Sequence, residues 1–142
     1  MQIVINITSI VISFTALYFG IQSYRNAKIA VVKEFFVQGD SRDQKNFRKQ
    51  VYDIYNRVTA EPVIKKELIK ITDAVAHIVS FYDFWALMVE KKYLPMWTFD
   101  GTPGNTAINV FSKIKPYIDH RREKDAEYAK RFERLVNRIK TP

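Results

Sequence analysis

The sequence predicts an all-α protein, with an N-terminal transmembrane helix followed by a cytoplasmic bundle of about four to five helices. Residues 1–24 contain no charged side chain. The chain has only four Gly and five Pro, too few for the many turns of a β sandwich or barrel. Apolar residues after the first segment recur at helical spacing, which favours amphipathic helices.

Residues 1–24 are predicted to be a membrane anchor. Twelve of them are Ile, Val, Leu, Phe or Met, and the first charged residue is Arg25. At about 1.5 Å rise per residue, roughly 20 such residues cross a hydrocarbon core. A cleaved signal peptide is disfavoured, because there is neither a basic leading region nor a small-residue cleavage site. A buried core helix remains the alternative, whereas the segment is too long for one strand.

Charge asymmetry predicts the orientation of this anchor. No basic residue precedes it, and Arg25, Lys28 and Lys33 follow it. Because basic residues favour the cytoplasmic side, we expect a single-pass protein of the cytoplasmic membrane with its N-terminus outside. The predicted division is an anchor over residues 1–24 and one cytoplasmic helical domain over residues 25–142. The absence of Cys agrees with a reducing compartment.

The first helix is expected to continue through the membrane boundary to Gly39. Ser41 is the predicted N-cap of a second helix that ends near Val58. A long central helix is predicted over residues 62–92, because its apolar positions extend almost all round.

The last third of the chain is predicted to contain a loop and two helices. Residues 93–104 contain two Pro and two Gly and are expected to form the loop. A helix over residues 105–118 follows, and Pro116 is expected to kink or end it. The last predicted helix covers residues 122–140.

Small and polar residues form a heptad stripe along the anchor. Small side chains let transmembrane helices approach closely, and polar ones hydrogen-bond across the pair, so the stripe predicts a homo-oligomer formed through the anchor. Chance scatter of small residues is the alternative. The stripe residues are Asn6, Ser9, Ser13, Ala16 and Gly20.

The net charge is +8, and residues 101–142 carry ten basic and five acidic side chains. This run predicts contact with the phosphates of anionic lipid headgroups or, less favoured, of nucleic acid. Because acidic residues are interspersed, an ordinary solvated face with i,i+4 pairs is the alternative. The residues concerned are Arg122, Lys130, Arg131, Arg134 and Arg138.

Two further clusters are candidates for specific contacts. Met96, Trp97 and Phe99 are expected either to enter the headgroup region, to grip an unknown protein partner or to fold under the bundle. Asp83 lies in the most apolar helix, where an unpaired carboxylate is costly, so a structural pair with Arg121 is expected. Arg48 is the other possible partner, and a solvated position at the rim is the alternative.

Catalytic signatures are weak. Asp73 and His77 stand one helical turn apart, but two ligands without a third do not indicate a metal site. Gly-rich phosphate loops and nucleophile elbows are absent from the sequence. We therefore assign no catalytic, cofactor-binding or metal-binding residue and expect no enzyme.

Three segments together resemble a domain-of-unknown-function family of small bacterial and phage-associated proteins. They are NFRKQVYDIY at 46–55, IVSFYDFWALMVEKKYLP at 78–95 and KIKPYIDHRREKDAEYAKRFERL at 113–135. The resemblance implies an N-terminal transmembrane helix joined to a helical cytoplasmic domain, and it implies no catalytic residue. Asp83 and Arg121 match polar positions of the family pattern.

The expected function is a membrane-tethered helical binding or assembly module, in the phage–host setting that the resemblance implies. The alternative is a nucleic-acid-binding or nucleic-acid-cleaving effector held at the membrane.

Overall fold

A computed structural model describes the backbone of residues 2–141 and the side chains of residues 12–141. That part of the chain contains six α-helices, one 3₁₀ turn and no strand, so the all-α prediction is confirmed. The elements are α1 Gln2–Gly39, α2 Arg42–Arg57, α3 Glu61–Lys70, α4 Thr72–Glu90, the 3₁₀ turn Met96–Phe99, α5 Thr102–Arg122 and α6 Lys130–Lys140.

Helix α1 is a single rod of 38 residues, as expected, and is therefore about 57 Å long. Only its last turns join the bundle: Val31 and Val32 pack against the core, and Phe35 is buried. Within residues 12–141, no helix is both long enough and apolar enough to cross a membrane. Residues 1–11 of the predicted anchor lie outside that described range.

Helix α2 begins where the sequence predicted. The Ser41 hydroxyl accepts a hydrogen bond from the backbone N–H of Gln44 at 3.3 Å, which satisfies one of the free donors of the first turn. The helix buries Val51 and Ile54 on one face. Its charged residues stay on the other face, as the spacing predicted.

The single helix expected over residues 62–92 is two helices in the structure. Ile71 separates α3 from α4 with φ −103° and ψ 36°, outside the helical region. The Thr72 hydroxyl donates to the carbonyl of Ile69 at this break. Leu68, before the break, and Val75, after it, are both fully buried.

Helix α5 continues through Pro116 to Arg122, so the expected end of the helix at this proline is wrong. A proline in a helix removes one backbone hydrogen bond and opens the neighbouring turn. In that turn the Tyr55 hydroxyl of α2 donates a hydrogen bond to the carbonyl of Lys113. A side chain from another helix thus binds the backbone in the turn that precedes the proline.

Helix α6 begins at Lys130, eight residues after the predicted start at residue 122. The preceding residues form turns, and Ala129 has a left-handed conformation with φ 58° that no helix continues through. The core lies where α4 meets α2 and α6, with α5 covering α3 and α6. Within the described residues, the two closest aromatic rings are those of Tyr82 and Phe132, which stack at a centroid distance of 4.3 Å.

Candidate functional site

The outer part of α1 is an exposed apolar surface. Between residues 12 and 30 no side chain is buried. Eight large apolar side chains there are each more than half exposed, and their spacing places them on several sides of the helix. A soluble monomer rarely leaves so large an apolar surface in water, so this surface requires a partner phase or molecule. The eight residues are Ile12, Phe14, Leu17, Tyr18, Phe19, Ile21, Tyr24 and Ile29.

The described part of the predicted oligomerisation stripe lies on this same exposed segment. Ser13, Ala16 and Gly20 are exposed, and a Cβ built on Gly20 meets no atom within 4 Å. The side chains of Asn6 and Ser9 lie outside the described residues. The described part of the stripe is therefore not covered by the bundle.

Asp83 has a different partner from the expected arginine. Its carboxylate accepts a hydrogen bond from the backbone N–H of Phe132 at 2.7 Å. Phe132 is the third residue of α6, where the N–H groups of a helix start have no partner within the helix. Residue Ala129, at the N-cap position, has no side-chain oxygen to accept from them. Asp83 therefore caps α6 from the neighbouring helix α4.

The environment of Asp83 has opposing electrostatic effects. Burial raises the pKa of its carboxyl group and outweighs the hydrogen bond from Phe132, which lowers it. The cations that also lower this pKa are Arg131 and Arg134. The expected pairing with Arg121 is thus corrected: the Arg121 guanidinium lies over the ring of Tyr128, 5.4 Å from its centroid.

Arg48, the other arginine considered for Asp83, binds the end of α1. Its guanidinium donates to the carbonyl of Gly39 at 2.9 Å. This bond satisfies one of the free carbonyls that every helix has at its C-terminus. Arg48 thereby fixes the junction between α1 and α2.

Most of the predicted phosphate-binding residues form ion pairs within the fold. The Glu90 carboxylate lies 2.9 Å from Arg134 and 3.9 Å from Arg131. Arg122 pairs with Glu133 at 2.9 Å, and Lys130 pairs with Glu127 at 2.7 Å. Within the described residues, Arg138 alone of the predicted five forms no ion pair. These pairs neutralise most of the face that was expected to meet phosphates.

The aromatic loop is divided between core and surface. Phe99 is only 2 % exposed and packs on Phe35 at 4.9 Å between ring centroids. Met96 is half-buried, whereas Trp97 is 58 % exposed. Phe99 therefore folds under the bundle, and Trp97 is left for another contact.

Two concavities of the bundle are candidates for a ligand site. The first has a volume of about 250 Å³ and is lined by Phe35, Phe81 and Arg48 among others. That volume is below the roughly 300–1,000 Å³ typical of small-molecule sites. The second is an open groove beside Glu123, whose carboxylate lies 3.8 Å from Lys65 and 3.5 Å from His120.

The pair Asp73 and His77 does not assemble into a larger cluster. The His77 ring stacks on Phe47 at 4.9 Å between centroids. In the part of the chain that the structure describes, no three acidic, His or Cys side chains could hold a metal ion together.

Sequence reasoning missed Glu90, whose carboxylate joins α4 to α6 through two arginines. Its position at the end of the central helix, opposite a helix rich in arginine, was the available signal. The register between the two helices was needed to use that signal.

Comparison with known proteins identifies the family. A profile for a domain of unknown function, DUF4760, matches residues 3–139. No curated protein and no solved structure matches the chain significantly. Because the match covers nearly the whole sequence, the resemblance noted above is confirmed at the level of the family, and the protein belongs to the DUF4760 family.

Proposed function

We propose that the protein is a membrane-tethered helical module, in which residues 1–24 lie in the bilayer and the bundle is held at the cytoplasmic face. The observation that carries the proposal is the apolar surface of α1, where large side chains such as Phe14, Leu17 and Phe19 are each more than half exposed. The bundle offers them no packing partner, because the contacts of α1 with the core begin at Val31. Lipid acyl chains would remove this surface from water.

The residues that follow the apolar segment support the same location. Arg25 is the first charged residue, and Lys28 lies over the ring of Tyr24, 4.7 Å from its centroid. Tyrosine and basic residues are the usual flank of a membrane segment at the headgroup level. Because basic residues favour the cytoplasmic side of a membrane, Arg25 and Lys28 also support a cytoplasmic position for the bundle.

The proposal is tested by sedimentation of the full chain with lipid vesicles, followed by carbonate washing. We expect the wild-type protein to remain with the lipid and the double variant Leu17→Glu, Ile21→Glu to be released. Charges in the bilayer core are costly, whereas the same charges on the bundle surface are not. The matched control is Val63→Glu, Ile69→Glu, which changes two exposed apolar residues of α3.

Release of the wild-type protein by carbonate would contradict the tether. So would equal retention of the Leu17→Glu, Ile21→Glu variant and its control. Because every position tested is exposed, a loss of binding in one variant alone does not reflect unfolding of the core.

We further propose that the stripe containing Ser13 and Gly20 joins two or more copies within the bilayer. Leucine at both positions would separate the helices. Phe14 and Phe19 lie off the stripe, so the double variant Phe14→Leu, Phe19→Leu is the control. Cross-linking in membranes is expected to fall only in the stripe variant. Equal cross-linking of both double variants would remove this part of the proposal.

A further inference from the structure

The contacts between α1 and α4 define which end of the bundle faces the apolar segment. A Cβ built on Gly39 would lie 3.4 Å from the ring of Phe81, and four residues earlier the Phe35 ring lies 5.3 Å from Trp85. Moving toward the N-terminus of α1 therefore means moving toward the C-terminus of α4. The exposed part of α1 projects past the end of α4.

The end of α6 lies at the same end of the bundle. Asp83 caps the start of α6, and Glu90 pairs with Arg134 seven residues further along α4, so the two helices run in the same direction. The Ile139 side chain lies 3.0 Å from a Cβ built on Gly104, which in turn abuts the carbonyl of Phe99. The loop after α4, the start of α5 and the end of α6 thus meet here.

We call this end of the bundle the proximal face. It carries four basic and two aromatic side chains, all exposed. Within the described residues, none of the four cations forms an ion pair. Of the acids nearby, Glu90 is already paired with two arginines and Asp100 is exposed. The proximal face consists of Lys91, Lys92, Tyr93, Trp97, Arg138 and Lys140.

Two lysines at the opposite end of the bundle are paired with acidic side chains. There Lys65 lies 3.8 Å from Glu123, and Lys115 lies 3.0 Å from Asp119. These cations are balanced by acids within the fold. Lys66 and Lys124 form no ion pair within the described residues either, so the proximal face is distinguished by combining four unpaired cations with two exposed aromatic side chains.

We propose that the proximal face docks on the anionic headgroups of the leaflet into which α1 inserts; this inference rests on the tether proposed above. Lysine and arginine are attracted to anionic lipid, and tryptophan and tyrosine prefer the headgroup level. The bundle would then rest on the membrane, with Trp97 in the headgroup region. The partner is a lipid surface, and the anionic headgroup is the feature recognised.

The length of α1 permits this docking. Phe35 lies ten residues after Arg25, a distance of about 15 Å along the helix. The headgroup region takes up about 5–7 Å of that distance. Phe99, in the loop after α4, packs on Phe35 at 4.9 Å between ring centroids, which places this loop at the level of Phe35. A tilt of α1 shortens the remaining distance to the headgroups.

The two tryptophans of the chain make the docking measurable. Trp85 is 2 % exposed, whereas Trp97 is 58 % exposed. The Trp85→Phe full-length chain would therefore report on Trp97 alone. In phosphatidylcholine vesicles containing phosphatidylglycerol, we expect a blue shift of its emission and quenching by brominated lipid, and both should weaken in pure phosphatidylcholine or at high salt.

Charge variants separate docking from folding. Lys92 has φ 63°, a conformation that glycine adopts without strain, so Lys92→Gly removes a charge without threatening the fold. We expect Lys91→Gln with Lys92→Gly to weaken the docking equilibrium about fivefold for each charge removed. Lys65→Gln with Lys115→Gln, at the opposite end, is the matched control and should leave Trp97 quenching unchanged.

The outcomes distinguish this inference from the tether. If the protein sediments with vesicles but Trp97 emission does not respond to anionic lipid, the docking is wrong and the tether stands. If the protein does not sediment with any vesicle, the tether itself is wrong. Should Trp85→Phe fail to fold, the charge variants can be compared in the unaltered chain, because buried Trp85 contributes a constant background. Equal quenching in the proximal and control variants would also overturn the inference.

Discussion

Single residues at the junctions between helices determine how this bundle closes. Asp83 is the clearest case, because one carboxylate on α4 satisfies the start of α6. The sequence indicated that Asp83 needed a partner. An arginine was expected because a sequence shows where charged side chains lie but not which backbone groups lack a hydrogen bond. The actual donor is a backbone N–H, which every residue except proline carries, so no sequence pattern marks it.

Replacing Asp83 tests the capping contact. Asp83→Ala leaves the N–H of Phe132 without its acceptor and should lower the free energy of unfolding by about 0.5–2 kcal/mol. Asp83→Asn keeps an oxygen in place and should cost less. Ser80→Ala, an exposed change on the same helix, is the control in a urea titration. Equal stability of the Asp83→Ala and Ser80→Ala proteins would show that the cap contributes nothing.

The pH dependence of stability gives a second test at Asp83. Because burial raises the folded-state pKa above the ordinary 3.8, the folded protein holds this proton more tightly than the unfolded chain. The resulting stabilisation is present below pH 3.8 and is lost as the pH rises through the raised value. Asp83→Asn has no such loss, so its stability relative to wild type should increase from pH 3 toward neutral. A difference that is constant with pH would contradict the raised pKa.

Gly104 shows how closely two backbone segments approach. A Cβ at this position would lie 2.0 Å from the carbonyl oxygen of Phe99, closer than atoms can pack. Gly104→Ala should therefore lower the free energy of unfolding by about 1–3 kcal/mol, the usual cost of overpacking. Gly20→Ala is the control, because nothing lies within 4 Å of its Cβ position. Thermal unfolding of both variants would measure the difference, and equal Tm values would contradict it.

At the scale of the helices, the sequence predicted the ones whose ends carry local signals. Ser41 caps α2 with its own side chain, and the helix starts there as expected. By contrast, Ile71 carries no breaking signal, yet it separates α3 from α4. Ala129 likewise has a left-handed conformation without being Gly or Asn. Both breaks depend on how neighbouring helices pack, which helix propensity does not contain.

Pro116 is another position where a local signal alone does not determine the course of a helix. The sequence suggested that the helix would kink or end, because proline removes a hydrogen bond. In the structure α5 continues, with the Tyr55 hydroxyl bonded to the carbonyl of Lys113 in the adjacent turn. A contact between residues 58 positions apart is invisible to local reasoning.

At the scale of the whole molecule, the bundle and the exposed part of α1 are energetically separate. No side chain of residues 12–30 is buried, and the core begins with the contacts of Val31. A bundle that gains nothing from a segment should not need it to fold.

Removing residues 1–24 tests this separation. The shortened protein should unfold cooperatively within a few degrees of the full chain, because every side chain that is buried among residues 12–141 is retained. It should also lose retention on vesicles after carbonate washing. Thermal unfolding by circular dichroism, with the full chain in detergent as reference, measures the first expectation. A large drop in Tm would show that the segment stabilises the bundle.

The sequence by itself determined the helical class, the uncharged leading segment, the amphipathic faces and the excess of basic residues, because these follow from composition and short-range spacing. Only the tertiary structure decided where the long central helix breaks, which backbone group Asp83 binds, and which basic residues are already paired. It also placed the exposed Trp97 and the unpaired Lys91 and Lys92 at the end from which α1 projects. These features depend on the register between helices distant in the chain, and that register is set by the packing of the core.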